Sequence, residues 1–83
     1  MRFRAEIIVA LKGGVLDTQG KAVFSSLRRL GHLGLEDVRI GRVVSVVVDA
    51  PNAAEARSEV EAMCRNLLVN DLIEEARVDL EAL

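Results

Sequence analysis

The segment KGGVLDTQGKA, residues 12–22, constrains the fold more than any other part of the chain, because it joins a strand pattern to a helix pattern. Gly13 and Gly14 allow backbone conformations that other residues avoid. Asp17 offers a carboxylate to the unpaired N–H groups of a starting helix. Gly20 then falls in the first helical turn, where glycine lowers helix stability. The sequence therefore predicts that some group approaches the backbone closely at Gly20.

Different apolar periods precede and follow this segment. Apolar residues alternate with mostly polar ones over residues 3–11, which predicts a first strand with one apolar face. From Asp17 to about Leu30 the spacing is helical, and Gly31 is well suited to follow a helix end. The apolar positions of this helix are Val23, Phe24, Leu27 and Leu30.

Strand patterns return after this helix. Residues 35–40 predict a second strand, Gly41-Arg42 a tight hairpin turn, and residues 43–50 a third strand. The third strand is apolar on both faces, so one face needs a cover that helices on the other side cannot supply. A second subunit would supply it, and we expect Val43 and Val47 to take part in self-association.

A second helix and a last strand complete the pattern. Asn52 begins a sequence that resembles a capping box, helical spacing continues to about Leu68, and Asn70 is suited to end the helix. Residues 73–81 then alternate as a strand. The order β-α-β-β-α-β predicts an α+β fold with one two-layer domain over residues 1–83. We expect a ferredoxin-like or similar antiparallel sheet with both helices on one face.

Composition limits how this domain can be stabilised and what it can bind. A chain of 83 residues gains little stability from its own core. A single cysteine excludes an internal disulfide, and one cysteine with one histidine cannot complete a zinc site. Oligomerisation is the remaining means of stabilisation.

Charge and hydropathy exclude two classes of partner. The net charge of −2, with two Phe and no Tyr or Trp, argues against nucleic acid. The chain begins without a signal-peptide pattern and has no apolar run long enough for a bilayer. We therefore expect a soluble, cytoplasmic protein without a membrane partner.

The residues that could carry out chemistry are scattered. Cys64 lies within the second predicted helix and His32 in a loop, so neither has an evident catalytic partner. The carboxylate pairs Glu36-Asp37 and Glu74-Glu75 are better explained as solvated charge than as acid–base pairs. Lys12-Gly13-Gly14 lacks the spacing of a phosphate-binding loop. The sequence predicts no catalytic residue and no metal site in this chain.

Three blocks of the sequence, taken together, resemble the PurS family. Residues 12–22 are similar to its hallmark turn, residues 38–42, after Leu30-Gly31, resemble its second block, and residues 63–74 resemble its third. The blocks keep the family's order and spacing over essentially the whole chain. The family commonly has proline at three positions where this chain has Gly14, Thr18 and Asp71.

The resemblance implies an accessory subunit of phosphoribosylformylglycinamidine (FGAM) synthase, a glutamine-dependent ligase of de novo purine synthesis. In the split form of that enzyme, a glutaminase subunit (PurQ) releases ammonia. A synthetase subunit (PurL) uses the ammonia with ATP to convert formylglycinamide ribonucleotide (FGAR) to FGAM. The resemblance implies that a PurS-like chain assembles the two and has no active site of its own.

The same resemblance implies homodimers or homotetramers, in which the sheet can be extended or shared across subunits. ATP, Mg²⁺ and glutamine would be used by the partner subunits, and this chain would hold no cofactor. The candidate partner-binding residues are Lys12, Gly13, Asp17, Gln19, Gly20, Arg39 and Asn70. The sequence leaves open whether a second copy or another subunit approaches Gly20.

A regulatory module of the ACT type is the alternative function. Such modules share the β-α-β-β-α-β order and bind amino acids at subunit interfaces, so the order of elements does not separate the two functions. Stabilisation by an amino acid without any protein partner would favour the alternative.

Overall fold

Three strands and two helices make up the chain in the computed structural model, which describes all of residues 1–83. In chain order they are β1 (Arg2–Leu11), α1 (Thr18–Arg29), β2 (Gly41–Asp49), α2 (Ala53–Met63) and β3 (Glu74–Ala82). A π-helical turn, Cys64–Leu68, extends α2. The predicted α+β class, its antiparallel sheet and its two helices are confirmed.

The sheet has the order β2-β1-β3, and both neighbours of β1 run antiparallel to it. Phe3, for example, lies opposite Val48 of β2 and Ala82 of β3. β1 is the central strand, and the apolar residues of its inner face are flanked by those of β2 and β3 and covered by α2. Its four inward residues are at most 3% exposed, and they are Phe3, Ala5, Ile7 and Val9.

Helix α2 packs on this apolar face and contacts all three strands. The Asn52 side chain caps the helix, because its Oδ1 accepts a hydrogen bond from the backbone N–H of Glu55 at 2.9 Å. Ala56 and Val60 on its inner side are fully buried, and with β1 they form the core. The opposite face of the sheet is open, and Val43 and Val47 are 62% and 46% exposed on it.

Helix α1 stands away from the sheet. It ends as predicted, with Gly31 at a φ of 103° and the His32 N–H donating to the Leu27 carbonyl. The radius of gyration is 16.4 Å and the longest dimension is 51 Å, whereas a compact domain of this length has a radius of about 12 Å. Only α2 therefore covers the sheet within this chain, although the sequence predicts both helices on that face.

The apolar side of α1 is left uncovered as a result. We call its residues Val23, Phe24, Leu27 and Leu30 the α1 stripe. Val23 is 38% and Leu30 76% exposed, and Phe24 and Leu27 are only partly buried. An amphipathic helix is stabilised mostly by burying such a stripe, and α1 lacks this stabilisation in the single chain.

The predicted strand over residues 35–40 is wrong, and so is the hairpin turn at Gly41-Arg42. The backbone N–H of Ile40 donates to the Asp17 carboxylate instead of a neighbouring strand. Gly41 and Arg42 belong to β2, where Gly41 pairs with Ala10. The chain therefore has one strand fewer than predicted.

Neither helix is long and apolar enough to cross a membrane.

Candidate partner-binding surface

The Asp17 carboxylate connects two segments that are distant in sequence. Its Oδ1 accepts a hydrogen bond from the backbone N–H of Gly20 at 2.8 Å, which caps α1. Its Oδ2 accepts another from the N–H of Ile40 at 2.9 Å, immediately before β2. The bonds from Ile40 and Gly20 lower the pKa of Asp17. We call this arrangement the Asp17 bridge.

Gly20 is buried because the chain itself packs against it. A Cβ atom placed on Gly20 would lie 2.5 Å from Asp17 Oδ2 and 2.6 Å from the carbonyl oxygen of Val38. Both distances are shorter than real Cβ contacts allow. The predicted close approach is therefore confirmed, but the approaching groups belong to the same chain rather than to another subunit.

Lys12 and Arg39 also make contacts within the chain. The backbone N–H of Lys12 donates to the Ile73 carbonyl at 2.8 Å, and Lys12 Nζ donates to the Asp71 carbonyl at 2.6 Å. Arg39 Nη2 donates to the carbonyl of Leu11 at 2.9 Å. These bonds hold the turn after β1 against the loops that precede β2 and β3.

Asn70 shapes the turn that leads into β3. Its carbonyl accepts hydrogen bonds from the N–H groups of Ile73 and Glu74, and its Oδ1 accepts one from Leu72 at 3.1 Å. Its own N–H donates to Glu74 Oε1 at 2.9 Å. Asn70 therefore acts as a residue of the turn before β3. The prediction that it ends the helix is wrong, because the cap position after the π-helical turn is Val69.

An ion pair that the sequence does not indicate holds the same region. Arg42 donates to both carboxylate oxygens of Glu74, at 2.6 and 3.1 Å, and to the Leu68 carbonyl at 2.7 Å. The hydrogen bond from Arg42, followed by that from the Asn70 N–H, lowers the pKa of Glu74. The sequence predicts that Glu74 is solvated charge, and this prediction is wrong, because its partner lies 32 residues away, beyond the reach of a local pattern.

The loops held in this way present apolar side chains at one end of the sheet, where β1 ends and β2 and β3 begin. Leu16 is 63%, Leu67 85% and Leu72 87% exposed. Gly13 and Gln19, two of the candidate partner-binding residues, lie within residues 12–22 with Leu16 and are also exposed. We call these five residues the terminal surface. Its three large exposed apolar side chains make it a candidate protein-binding surface.

The Leu16 side of the terminal surface is concave. Leu16 and Gln19 line a cleft of about 410 Å³, and Leu11 and the Arg42–Glu74 pair line it as well. The ion pair holds its two side chains in place. The cleft is suited to receive a side chain of a partner and carries no arrangement of reactive groups.

The remaining reactive side chains stay apart in the structure. Cys64 is partly buried, and that burial raises the pKa of its thiol, so the thiolate nucleophile is disfavoured. His32 is exposed in the loop after α1. No three His, Cys, Asp or Glu side chains are grouped closely enough to hold a metal ion.

Comparison with known proteins gives one consistent result. The family model described as PurS, phosphoribosylformylglycinamidine (FGAM) synthase, matches residues 4–82. The chain is 38% identical over 81 residues to the FGAM synthase subunit PurS of Synechocystis sp., covering 98% of this chain and 81% of that one.

Solved structures agree with the sequence relatives. PurS of Thermus thermophilus has a TM-score of 0.87 at 39% identity, with 100% of this chain and 99% of that chain covered. A chain in the structure of PurLQS from Thermotoga maritima has a TM-score of 0.91 at 30% identity, with 98% and 99% covered.

Proposed function

The chain belongs to the PurS family of FGAM synthase subunits, and we propose that it acts as the non-catalytic subunit that joins PurL and PurQ. In this role it serves a ligase of purine biosynthesis without an active site of its own. The observation that carries the proposal is the match over nearly the whole chain to a chain of a PurLQS complex. The scattered reactive side chains support the non-catalytic part of the role.

The partner-binding residues named from the sequence divide into two groups in this proposal. Gly13 and Gln19 belong to the terminal surface and can touch a partner directly. The other members make the internal contacts that give this surface its shape, and they are Lys12, Asp17, Gly20, Arg39 and Asn70. We expect substitution of the first group to weaken binding without loss of stability.

The proposal includes self-association, because the single chain leaves two apolar surfaces uncovered. One is the α1 stripe, and the other is the open sheet face with Val43 and Val47. Burying such side chains is favourable by roughly 25 cal/mol per Å². A homodimer or homotetramer that covers them would supply the stability that a core of eight buried residues lacks.

Reconstitution with separately purified PurL and PurQ tests the function. We expect this chain to be required for FGAM formation with glutamine as the nitrogen source, and to matter much less when ammonia replaces glutamine. ATP, Mg²⁺ and glutamine would be used by the partners. Equal glutamine-dependent turnover with and without this chain would contradict the proposal.

A matched pair of variants tests the terminal surface. Leu72→Ser replaces a side chain that is 87% exposed, so the fold should tolerate it. Ser58→Ala alters an exposed position of α2, away from the terminal surface. We expect only Leu72→Ser to weaken capture of the partner subunits. The family match does not favour the ACT-type alternative, which would regain support if free amino acids alone raised the melting temperature.

A further inference from the structure

We propose that Asp17 is a positioning residue that fixes the direction in which α1 leaves the sheet. The direction of α1 in turn determines where the α1 stripe meets its partner in the assembled complex. This inference rests on the proposed function in one respect, namely that the complex covers the α1 stripe. The observation that carries it is the Asp17 bridge, which joins the start of α1 to the start of β2.

The hydrogen bond from Arg39 to the Leu11 carbonyl also ties the segment after α1 to β1, but only the Asp17 bridge includes the first turn of the helix. Two connections lead to and from the helix, residues 12–17 before it and residues 30–40 after it. Asp17 Oδ2 links the end of the first connection to the end of the second, 23 residues later. We call residues 30–40 the return segment. Helix α1 and the return segment therefore form a loop that is closed by the Asp17 carboxylate.

Other contacts in this loop do not replace the Asp17 bridge. Arg28 donates to the carbonyls of Leu33 and Leu35, at 3.3 and 3.1 Å, but these two residues belong to the return segment and not to the sheet. Phe24 and Val38 both line a cleft of about 340 Å³ between α1 and the segment that follows it. A change in the angle between α1 and the sheet at Asp17 would therefore displace the far end of α1.

Gly20 makes the Asp17 bridge possible. The Val38 carbonyl lies so close to Gly20 that any side chain there would collide with it. The absent side chain lets the return segment approach the first turn of α1 closely enough for Ile40 to reach Asp17. The glycine that weakens the helix thereby allows its direction to be fixed.

The test separates the cap of α1 from the bridge to Ile40. Asp17→Asn keeps an oxygen for the Gly20 N–H, and asparagine caps helices about as well as aspartate, but its amide NH₂ cannot accept the Ile40 N–H. Asp17→Ser is a second variant with the same logic, because serine caps a helix through a single oxygen. Asp37→Asn makes the same charge change at an exposed carboxylate nearby and serves as the control.

Three measurements are made on the full chain. Hydrogen exchange reports protection at Ile40 and at β1, small-angle scattering reports the direction of α1, and light scattering with PurL and PurQ capture reports assembly. We expect Asp17→Asn and Asp17→Ser to lose protection at Ile40, to change the radius of gyration and to weaken assembly several-fold. Protection of β1 should stay at the wild-type level.

Besides an unchanged scattering profile, two results would overturn the inference. In the first, both variants assemble as well as the wild type although Ile40 has lost its protection. In the second, protection falls equally at Ile40 and β1, which would make Asp17 a residue of general stability. Failure of the wild type to bind PurL and PurQ would refute the proposed function instead, and an unchanged scattering profile in Asp17→Asn would then still refute the positioning role.

Discussion

Gly20→Ala tests the packing around the first turn of α1, because two opposing effects make the sign of the outcome informative. In an unobstructed helix, alanine is more favourable than glycine by about 1 kcal/mol, so the substitution alone would stabilise the chain. The structure adds a collision that opposes this gain. The new Cβ would lie 2.6 Å from the Val38 carbonyl oxygen, whereas ordinary contacts begin at 3.4 Å.

The magnitude follows from that distance. The Val38 carbonyl would have to move by the difference, 0.8 Å, and it is a backbone atom that cannot rotate away. A shift of this size would also strain the nearby 2.9 Å hydrogen bond from Ile40 to Asp17, because Ile40 lies two residues after Val38. Forced packing of one extra methyl costs about 1–3 kcal/mol. After the helix gain is subtracted, we expect a net loss of about 1 kcal/mol.

Thermal unfolding by circular dichroism is the assay. A loss of about 1 kcal/mol lowers the melting temperature of a domain this size by about 4–8 °C. Gly34→Ala is the control, because a Cβ at Gly34 meets no atom within 4 Å, and its melting temperature should stay near that of the wild type. A Gly20→Ala variant that melts higher than the wild type would refute the proposed collision.

Three further predictions concern the core, the ion pair and the open face. Ile7→Ala should lower the free energy of unfolding by about 2–5 kcal/mol in urea titrations, because Ile7 is fully buried; a loss below 1 kcal/mol would mean that the core is not packed as described. The pKa of Glu74 is lowered in the folded chain, so its contribution to stability should be complete above about pH 5 and disappear as the pH falls through the folded pKa. Glu74→Gln should therefore reduce the fall of the melting temperature in acid. An unchanged slope would count against the ion pair. Val47→Lys should shift the oligomer toward smaller species in light scattering while Ser58→Lys does not, and equal masses would show that the open face is not an interface.

The sequence predicts most of the helices and strands because each has an undisturbed apolar period. β1 alternates along its whole length, and α1 begins at Asp17 and ends before Gly31 as capping chemistry requires. In the return segment, by contrast, the apolar period does not correspond to a strand. Val38 and Ile40 alternate as in a strand, but the N–H of Ile40 is bound by a side chain 23 residues earlier. Alternation of apolar residues indicates which face of a segment is apolar, but it does not identify the group that accepts each backbone hydrogen bond.

The candidate surface was predicted in part for a related reason. Gly20 indicates a close approach to the backbone, because glycine in a helical turn is unfavourable and needs such a reason. The sequence does not identify the group that approaches. The Arg42–Glu74 pair gave no signal, since its members lie on different strands and neither has an unusual neighbour. An amphipathic pattern likewise predicts that α1 is covered without saying whether its own sheet covers it.

The register of the central strand has a consequence for how the chain folds. Phe3 lies between Val48 and Ala82, which are 45 and 79 positions further along the chain. Pairings between such distant residues require the closure of long loops, which slows folding. β1 therefore has to wait for β3 before its second side is hydrogen-bonded. We expect the complete three-stranded sheet to form only once β3 is available.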